Sequence, residues 1–274
     1  MNAANCHTCK DTSTLKDIVC LCTLTRFNPK GSFVVNPFAI QVSNLVKIYE
    51  KRGKAPVHAI NGISFDVRKG EIFGLLGPNG AGKTTTLKIL TTLLSPTSGS
   101  VTVFGHDIAR EPLEVRKQIC VVLQENAVEL YLSVRNNFLT FGRFHGLGRK
   151  EIDLRIGRLA ELFGLNEYMN AKGVDLSGGQ KRRIQVAKMF LVDKPIVFLD
   201  EATTGMDTFN KRTTIAAIKE EVTRGRTVVL TTHLLDEAEE LCDGVAIINH
   251  GRLIAHGSIE KVKSIGLRLL YVWL

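Results

Sequence analysis

Short apolar runs alternate with longer stretches of helical periodicity along most of this chain. Up to about residue 37 no period is sustained, and that segment ends in the breakers Asn28-Pro29-Lys30-Gly31 and Asn36-Pro37. From Ala39 the pattern changes. Residues Ile40–Leu45 partly alternate apolar and polar positions, and His58–Val67 does so with more apolar ones. The turn-like Lys51–Pro56 between them predicts an antiparallel hairpin. Ile72–Leu76, Ser100–Phe104, Ile119–Leu123, Ile196–Leu199, Thr227–Thr231 and Val245–Asn249 read as strands. Helical spacing covers Thr85–Leu94, Ser133–His145, Arg149–Phe163, Gly179–Leu191, Thr208–Val222 and Leu234–Leu241. Helices alternating with short apolar strands predict an α/β fold: a mainly parallel sheet with helices on both faces. No internal repeat and no long low-complexity segment interrupts the pattern.

Composition narrows the picture little. The chain has 274 residues, enough for one large domain with or without an appendage, and 44% of them are apolar. The formal net charge is +9, from 36 Lys and Arg against 27 Asp and Glu. A basic surface suits nucleic acid, anionic lipid or a nucleotide, or is simply solvated. The basic residues form no run of five or more, which favours the solvated face, with a membrane surface next. No apolar stretch reaches the roughly 18–20 residues of a spanning helix; Ile18–Leu24 and Leu267–Leu274 are both too short. Asp11 and Asp17 lie beside Lys10 and Lys16 with no cleavage pattern after them, so a signal peptide is not expected. The chain is expected to be soluble and intracellular.

Four of the six cysteines, Cys6, Cys9, Cys20 and Cys22, crowd into the first 22 residues. A zinc ribbon wants two Cys-x-x-Cys pairs at wider separation, and the second pair here has a single intervening residue. A reduced, unstructured tail is favoured over a metal site. Cys120 lies within an apolar run and reads as a small core residue.

The chemistry begins after Ile72–Leu76. Gly77-Pro78-Asn79-Gly80-Ala81-Gly82-Lys83-Thr84 places a glycine, four residues and then Gly-Lys-Thr between a strand and a helix. That spacing is a phosphate-cradling loop. A triphosphate needs many donors at close range, and glycines let backbone N–H groups converge without a Cβ in the way. The helix start adds partial positive charge. Lys83 would then reach the β- and γ-phosphate oxygens, the Thr84 hydroxyl can ligate Mg²⁺, and Thr85 is a further candidate for contact with the nucleotide.

Two further segments belong with it. Ile196–Leu199 is an apolar strand ending in Asp200-Glu201, and chemistry in open α/β sheets collects at strand carboxyl ends. Asp200 is placed to hold Mg²⁺, and Glu201 to act as general base on a water. Leu176-Ser177-Gly178-Gly179-Gln180 precedes a helix rich in Lys181, Arg182 and Arg183. A serine and two glycines at a helix start make either a second anion site or an ordinary N-cap.

In order, Gly77–Thr84, Gln124, Leu176–Gln180, Asp200-Glu201, Asp207 and His233 resemble the ATP-binding domain of ATP-binding cassette (ABC) transporters, over roughly Ala39 to Ser258. The five-residue signature Leu176–Gln180 is the most specific part. The resemblance implies a phosphate-loop NTPase core with an N-terminal antiparallel β subdomain and an inserted helical subdomain at about 125–175. It implies ATP and Mg²⁺ as cofactors. It also implies a head-to-tail dimer with a second copy or a related cassette, in which Ser177, Gly179 and Gln180 contact the nucleotide held by the other chain. Tyr49 resembles the residue that stacks on adenine, Gln124 the glutamine that contacts Mg²⁺ or water, His233 the switch histidine at the γ-phosphate, and Thr204–Asp207 the D-loop. Lys83, Glu201 and His233 are the implied catalytic residues. Leu230–Glu239 and Asn136–Leu147 look most like the drug-resistance exporter subclass, similar to daunorubicin-type ATPases.

Such a chain would dock its helical region on a separate transmembrane permease, as a peripheral protein at the cytoplasmic face, and would power export. Residues 1–37 match nothing in the family. The likeness stops near Ser258, where many subclass members continue into a small extra domain, so 259–274 is expected as a tail. A soluble ABC-type ATPase acting on ribosomes or DNA is the rival. Ribosomal members usually carry two cassettes and DNA-repair members long coiled coils; with one cassette and no sustained heptads here, no nucleic acid is expected. An inactive regulatory cassette needs a broken motif, and none is broken.

Overall fold

In a computed structural model, which describes residues 25–27, 33–50, 53, 55–122 and 128–265, the apolar runs become the strands of separate sheets. The chain divides into two units, residues 1–37 and 38–274. In the first, the described residues form one antiparallel pair, β1 (Thr25–Phe27) with β2 (Phe33–Val35). Cys6, Cys9, Cys20 and Cys22 lie outside the described residues.

The second unit is built on a six-stranded sheet. Its strands are β5 (Ile72–Leu76), β8 (Ile119–Val122), β9 (Ile196–Asp200), β10 (Thr227–Thr232), β11 (Gly244–Asn249) and β12 (Arg252–Ser258). They lie in the order β12-β11-β5-β10-β9-β8, all parallel except β12, which runs antiparallel to β11. Successive side chains of a strand point to opposite faces. Phe73, Leu75, Phe198, Val229, Ala246 and Ile248 therefore enter one buried cluster. Their neighbours Ile72, Leu76, Val197, Leu199, Val228, Leu230 and Val245 enter another. A sheet buried on both faces explains why these strands read as continuous apolar runs.

The two faces are covered differently. On one lies the antiparallel sheet β3 (Phe38–Tyr49), β4 (Val57–Arg68), β6 (Ser98–Val103) and β7 (His106–Asp107), with helix α1 (Lys83–Leu90). Phe65 of β4 stacks on Phe73 of β5, ring centres 5.5 Å apart. The other face carries helices, among them α3 (Val134–Phe144), α4 (Arg149–Leu162), α5 (Gly178–Met189), α6 (Thr208–Thr223) and α7 (Leu235–Leu241). Helices α3, α4 and α5 fall between β8 and β9; α3 and α4 lie within the span of about 125–175 expected for the inserted helical subdomain, and α5 follows it. Each large burial contributes about 1.5–3 kcal/mol, and Phe138, Ile152, Leu159, Phe163 and Phe190 do so here. Cys120 is buried with its sulfur 3.4 Å from that of Met189, and burial pushes its thiol up to about 11.

The elements that periodicity does not predict are short or lie at edges. Helix α2 (Pro112–Gln118) spans 7 residues, too few to establish a period. Strand β12 exposes every other residue at the edge of the sheet. The stretch expected as a tail begins with α8 (Ile259–Ile265), whose Val262 is buried in the helical-face core. No helix among the described residues is long and apolar enough to cross a membrane.

Candidate functional site

Strands β5, β10 and β9 are neighbours and parallel, so their carboxyl ends lie side by side. The Gly77–Gly82 loop leaves the first, His233 follows the second, and Asp200-Glu201 closes the third. Ligands of open α/β sheets bind at such a crevice. A cleft of about 430 Å³ opens there, lined by Asn79–Thr85, Glu201, His233 and Ala59 of the antiparallel sheet.

The loop is held in shape by close backbone approach. A Cβ on Gly77 would lie 2.1 Å from the Ile248 carbonyl oxygen, and one on Gly82 would lie 2.5 Å from that of Ala59. Gly82 also sits at φ +107°, where L-residues are strained, as the N-cap of α1. Gly77→Ala is expected to lower the melting temperature by roughly 10 °C, from an overpacking cost of about 3 kcal/mol, as read by calorimetry.

Lys83 is 6% exposed. Its ammonium donates to the carbonyls of Gly77 (2.7 Å) and Pro78 (3.1 Å). Of its three N–H donors, one is left for a ligand in the cleft. Burial lowers its pKa, and the charges of Glu201 and Asp200 oppose that shift. The Thr84 hydroxyl stands 3.4 Å from Asp200 Oδ2. Asp200 is 1% exposed, and its other oxygen accepts a bond from the Thr231 hydroxyl. The register explains this contact, since Thr231 of β10 pairs directly with Asp200 of β9.

Glu201 has φ +54°, a left-handed conformation that costs a non-glycine residue about 1 kcal/mol. Its N–H donates to the Thr231 carbonyl (3.2 Å) and hydroxyl (3.0 Å). Its carboxylate accepts a bond from the Thr204 hydroxyl (3.3 Å) and lies 3.7 Å from His233 Nδ1. The Lys83 ammonium, Thr84 hydroxyl, His233 imidazole and Glu201 carboxylate thus line one cleft, with the buried Asp200 carboxylate directly behind Thr84. That set can bind a polyanion, offer hard oxygen ligands to a cation, and take a proton from a water.

The signature residues lie elsewhere. Ser177 and Gly179 line a second cleft of about 400 Å³ with Gly178, Arg182, Gln185, Thr204, Gly205 and again Glu201. Gln180 is engaged in a capping box: its N–H donates to Ser177 Oγ (3.2 Å), and its Oε1 accepts from the Ser177 N–H (2.8 Å). A Cβ on Gly179 would lie 2.6 Å from the Gly205 carbonyl, so this glycine serves a contact within its own chain.

Two other expected residues are not brought to the phosphate-loop cleft. Asp207 is the N-cap of α6, where its carboxylate accepts the Asn210 N–H at 3.0 Å. Hydrogen bonds from Asn210 hold its pKa below the usual aspartate range. Tyr49 ends β3 opposite Val57, two residues before the cleft-lining Ala59, with the Lys47 ammonium 5.4 Å from its ring centre. Gln124 lies outside the described residues.

Sequence reading missed Thr231, Ala59 and Arg182. Thr231 follows from strand order, which periodicity does not encode. Ala59 carries no chemical signal. Arg182 stood in plain view among the basic residues after the signature.

Fold and site together define a phosphate-loop nucleotide-binding protein. The ABC transporter family model matches residues 60–204, and the chain belongs to that family, as one of its ATPases. It is 39% identical over 226 residues to the daunorubicin/doxorubicin resistance ATP-binding protein DrrA of Streptomyces peucetius, covering 82% of this chain and 67% of that one. It is likewise 39% identical over 233 residues to the Nod factor export ATP-binding protein I of Rhizobium johnstonii, covering 84% and 72%. Among solved structures, an ATP-binding subunit of an ABC transporter superposes with a TM-score of 0.74 at 26% identity, covering 85% of this chain and 98% of that one. CbiO1 of Clostridium perfringens, part of the cbiONQ transporter complex, gives 0.72 at 26% identity, covering 87% and 98%.

Proposed function

We propose that this chain is the ATP-hydrolysing subunit of an exporter, a peripheral protein at the cytoplasmic face of a membrane that drives a separate transmembrane permease. Two copies would close head to tail around two MgATP. The observation that carries this reading is the convergence of the phosphate loop, Asp200, Glu201 and His233 at three adjacent strand ends. The export role is supported by relatives named for drug resistance and Nod factor export.

The donor set fits the nucleotide and its metal. Loop amides and the spare Lys83 donor suit the phosphates, and the paired oxygens of Thr84 and Asp200 suit a hard cation. No group of three or more His, Cys, Asp or Glu among the described residues converges as a metal site, so substrate oxygens would complete the shell. Bound Mg²⁺ would neutralise charge on the β- and γ-phosphates. Lys83 holds the phosphate tail, and the Glu201 carboxylate orients a water and accepts its proton as the terminal phosphoanhydride breaks. His233 donates to the γ-phosphate and keeps the Glu201 side chain aimed. Ser177, at its helix start, offers a hydroxyl and the helix amides to the nucleotide of the second copy.

This arrangement requires two chains per active site. On dilution, MgATP hydrolysis per chain should fall, because the dimer dissociates. Phosphate release measured across protein concentration tests it. No hydrolysis at all, or constant activity per chain over several decades, would sink the reading.

A further inference from the structure

Glu201 is held in its left-handed conformation from both sides. Thr231 takes its N–H. Its carbonyl accepts the Thr204 N–H (3.3 Å) within the turn and, from outside it, Arg182 Nε at 3.1 Å. Arg182 sits on the second turn of α5, the helix that the signature opens. It is 8% exposed, and Gln185, one turn further along, accepts a second bond from its guanidinium at 2.9 Å. A buried planar fork bonded to both of these groups holds what it touches within narrow limits. Burial lowers the Arg182 pKa, and the charges of Asp200 and Glu201 oppose the shift, so the cation lies within electrostatic reach of both acids. The start of the same helix meets the far end of the loop after Glu201, where Gly179 packs against Gly205. Helix α5 therefore braces the 201–205 loop at both ends.

We propose that Arg182 is a positioning residue for ATP hydrolysis: by gripping the Glu201 carbonyl it fixes the direction of the Glu201 carboxylate and ties that acid to the signature helix of its own chain. This rests on Glu201 serving as the base. A load on Ser177 at the head of α5 then reaches the Glu201 carbonyl through the Arg182 side chain, and the far end of the loop through the Gly179–Gly205 contact. Thr231 holds the peptide on the other side of the same residue, from the sheet.

Arg182→Met keeps roughly the length and packing of the side chain and removes its donors, whereas Arg182→Lys keeps the charge and the donors of a single nitrogen. Arg182→Met should lower kcat about 10–100-fold, as loss of an orienting partner does, with KM for MgATP within about twofold of the original. Arg182→Lys should recover much of that loss. Added to Glu201→Gln, Arg182→Met should leave the residual rate unchanged, because the group it aims is already gone. An unchanged kcat in Arg182→Met, or an equal further loss on the Glu201→Gln background, overturns the proposal. If the unaltered protein itself fails to hydrolyse MgATP, the functional reading falls and takes this one with it. Normal turnover with an insensitive Arg182 removes this one alone.

Discussion

Glu201→Gln is expected to lower MgATP turnover about a thousandfold and to leave nucleotide binding equal or tighter. The amide is nearly isosteric with the carboxylate, so the contacts with Thr204 and His233 survive in outline. What it loses is the capacity to take a proton, which is worth about 10²–10⁴ in rate when a general base is removed. It also removes one negative charge from a cleft that must admit a polyanion beside Asp200. Affinity is therefore expected to hold or improve while chemistry stops. Phosphate release and equilibrium MgATP binding, measured on the same preparation, separate the two effects. Turnover near that of the unaltered protein would take the base role away from Glu201.

Lys83→Ala is expected to lower kcat/KM by at least about a thousandfold and to weaken MgATP binding as well. One charge-assisted bond to phosphate contributes about 1.5–3 kcal/mol to binding. The same ammonium opposes charge developing on the transferred phosphoryl group, where a single preorganised donor is worth about 10²–10³ in rate. The two losses add because they act at different stages. The Lys83 side chain belongs to neither apolar core, so the fold should persist, and far-UV circular dichroism would check that. Hydrolysis that survives in this variant would remove the electrostatic basis of the site. The contrast between the two variants is itself informative: one blocks chemistry after binding, and the other weakens binding first.

Much of this was legible in the linear chain because it depends on local chemistry. Gly-x-x-x-x-Gly-Lys-Thr between an apolar run and a helix can be read without any neighbour, and so can an apolar strand that ends in two acids. The strands buried on both faces were also legible, since burial of both faces leaves no polar alternation to confuse. The brief elements were not. The seven residues of α2 carry too little periodicity, and β12 is an edge strand with no fully buried residue, whose sequence Arg252–Ser258 alternates apolar and polar types only weakly. Tyr49 shows the limit at the site: an aromatic at a strand end is visible in the sequence, but its distance from the cleft is set by the hairpin register.

By itself the sequence determined the α/β class, the phosphate loop and the identity of the acids, because each is written in consecutive residues. Tertiary structure alone decided that β5, β10 and β9 are neighbours, and with that the pairing of Thr231 with Asp200. It also decided that Gln180 and Asp207 spend their polar groups on helix ends, and that Arg182 reaches across to the Glu201 carbonyl. The reason is physical. Chemical identity and periodicity belong to the chain locally, whereas strand order and side-chain reach are set by how two buried apolar faces are covered at once.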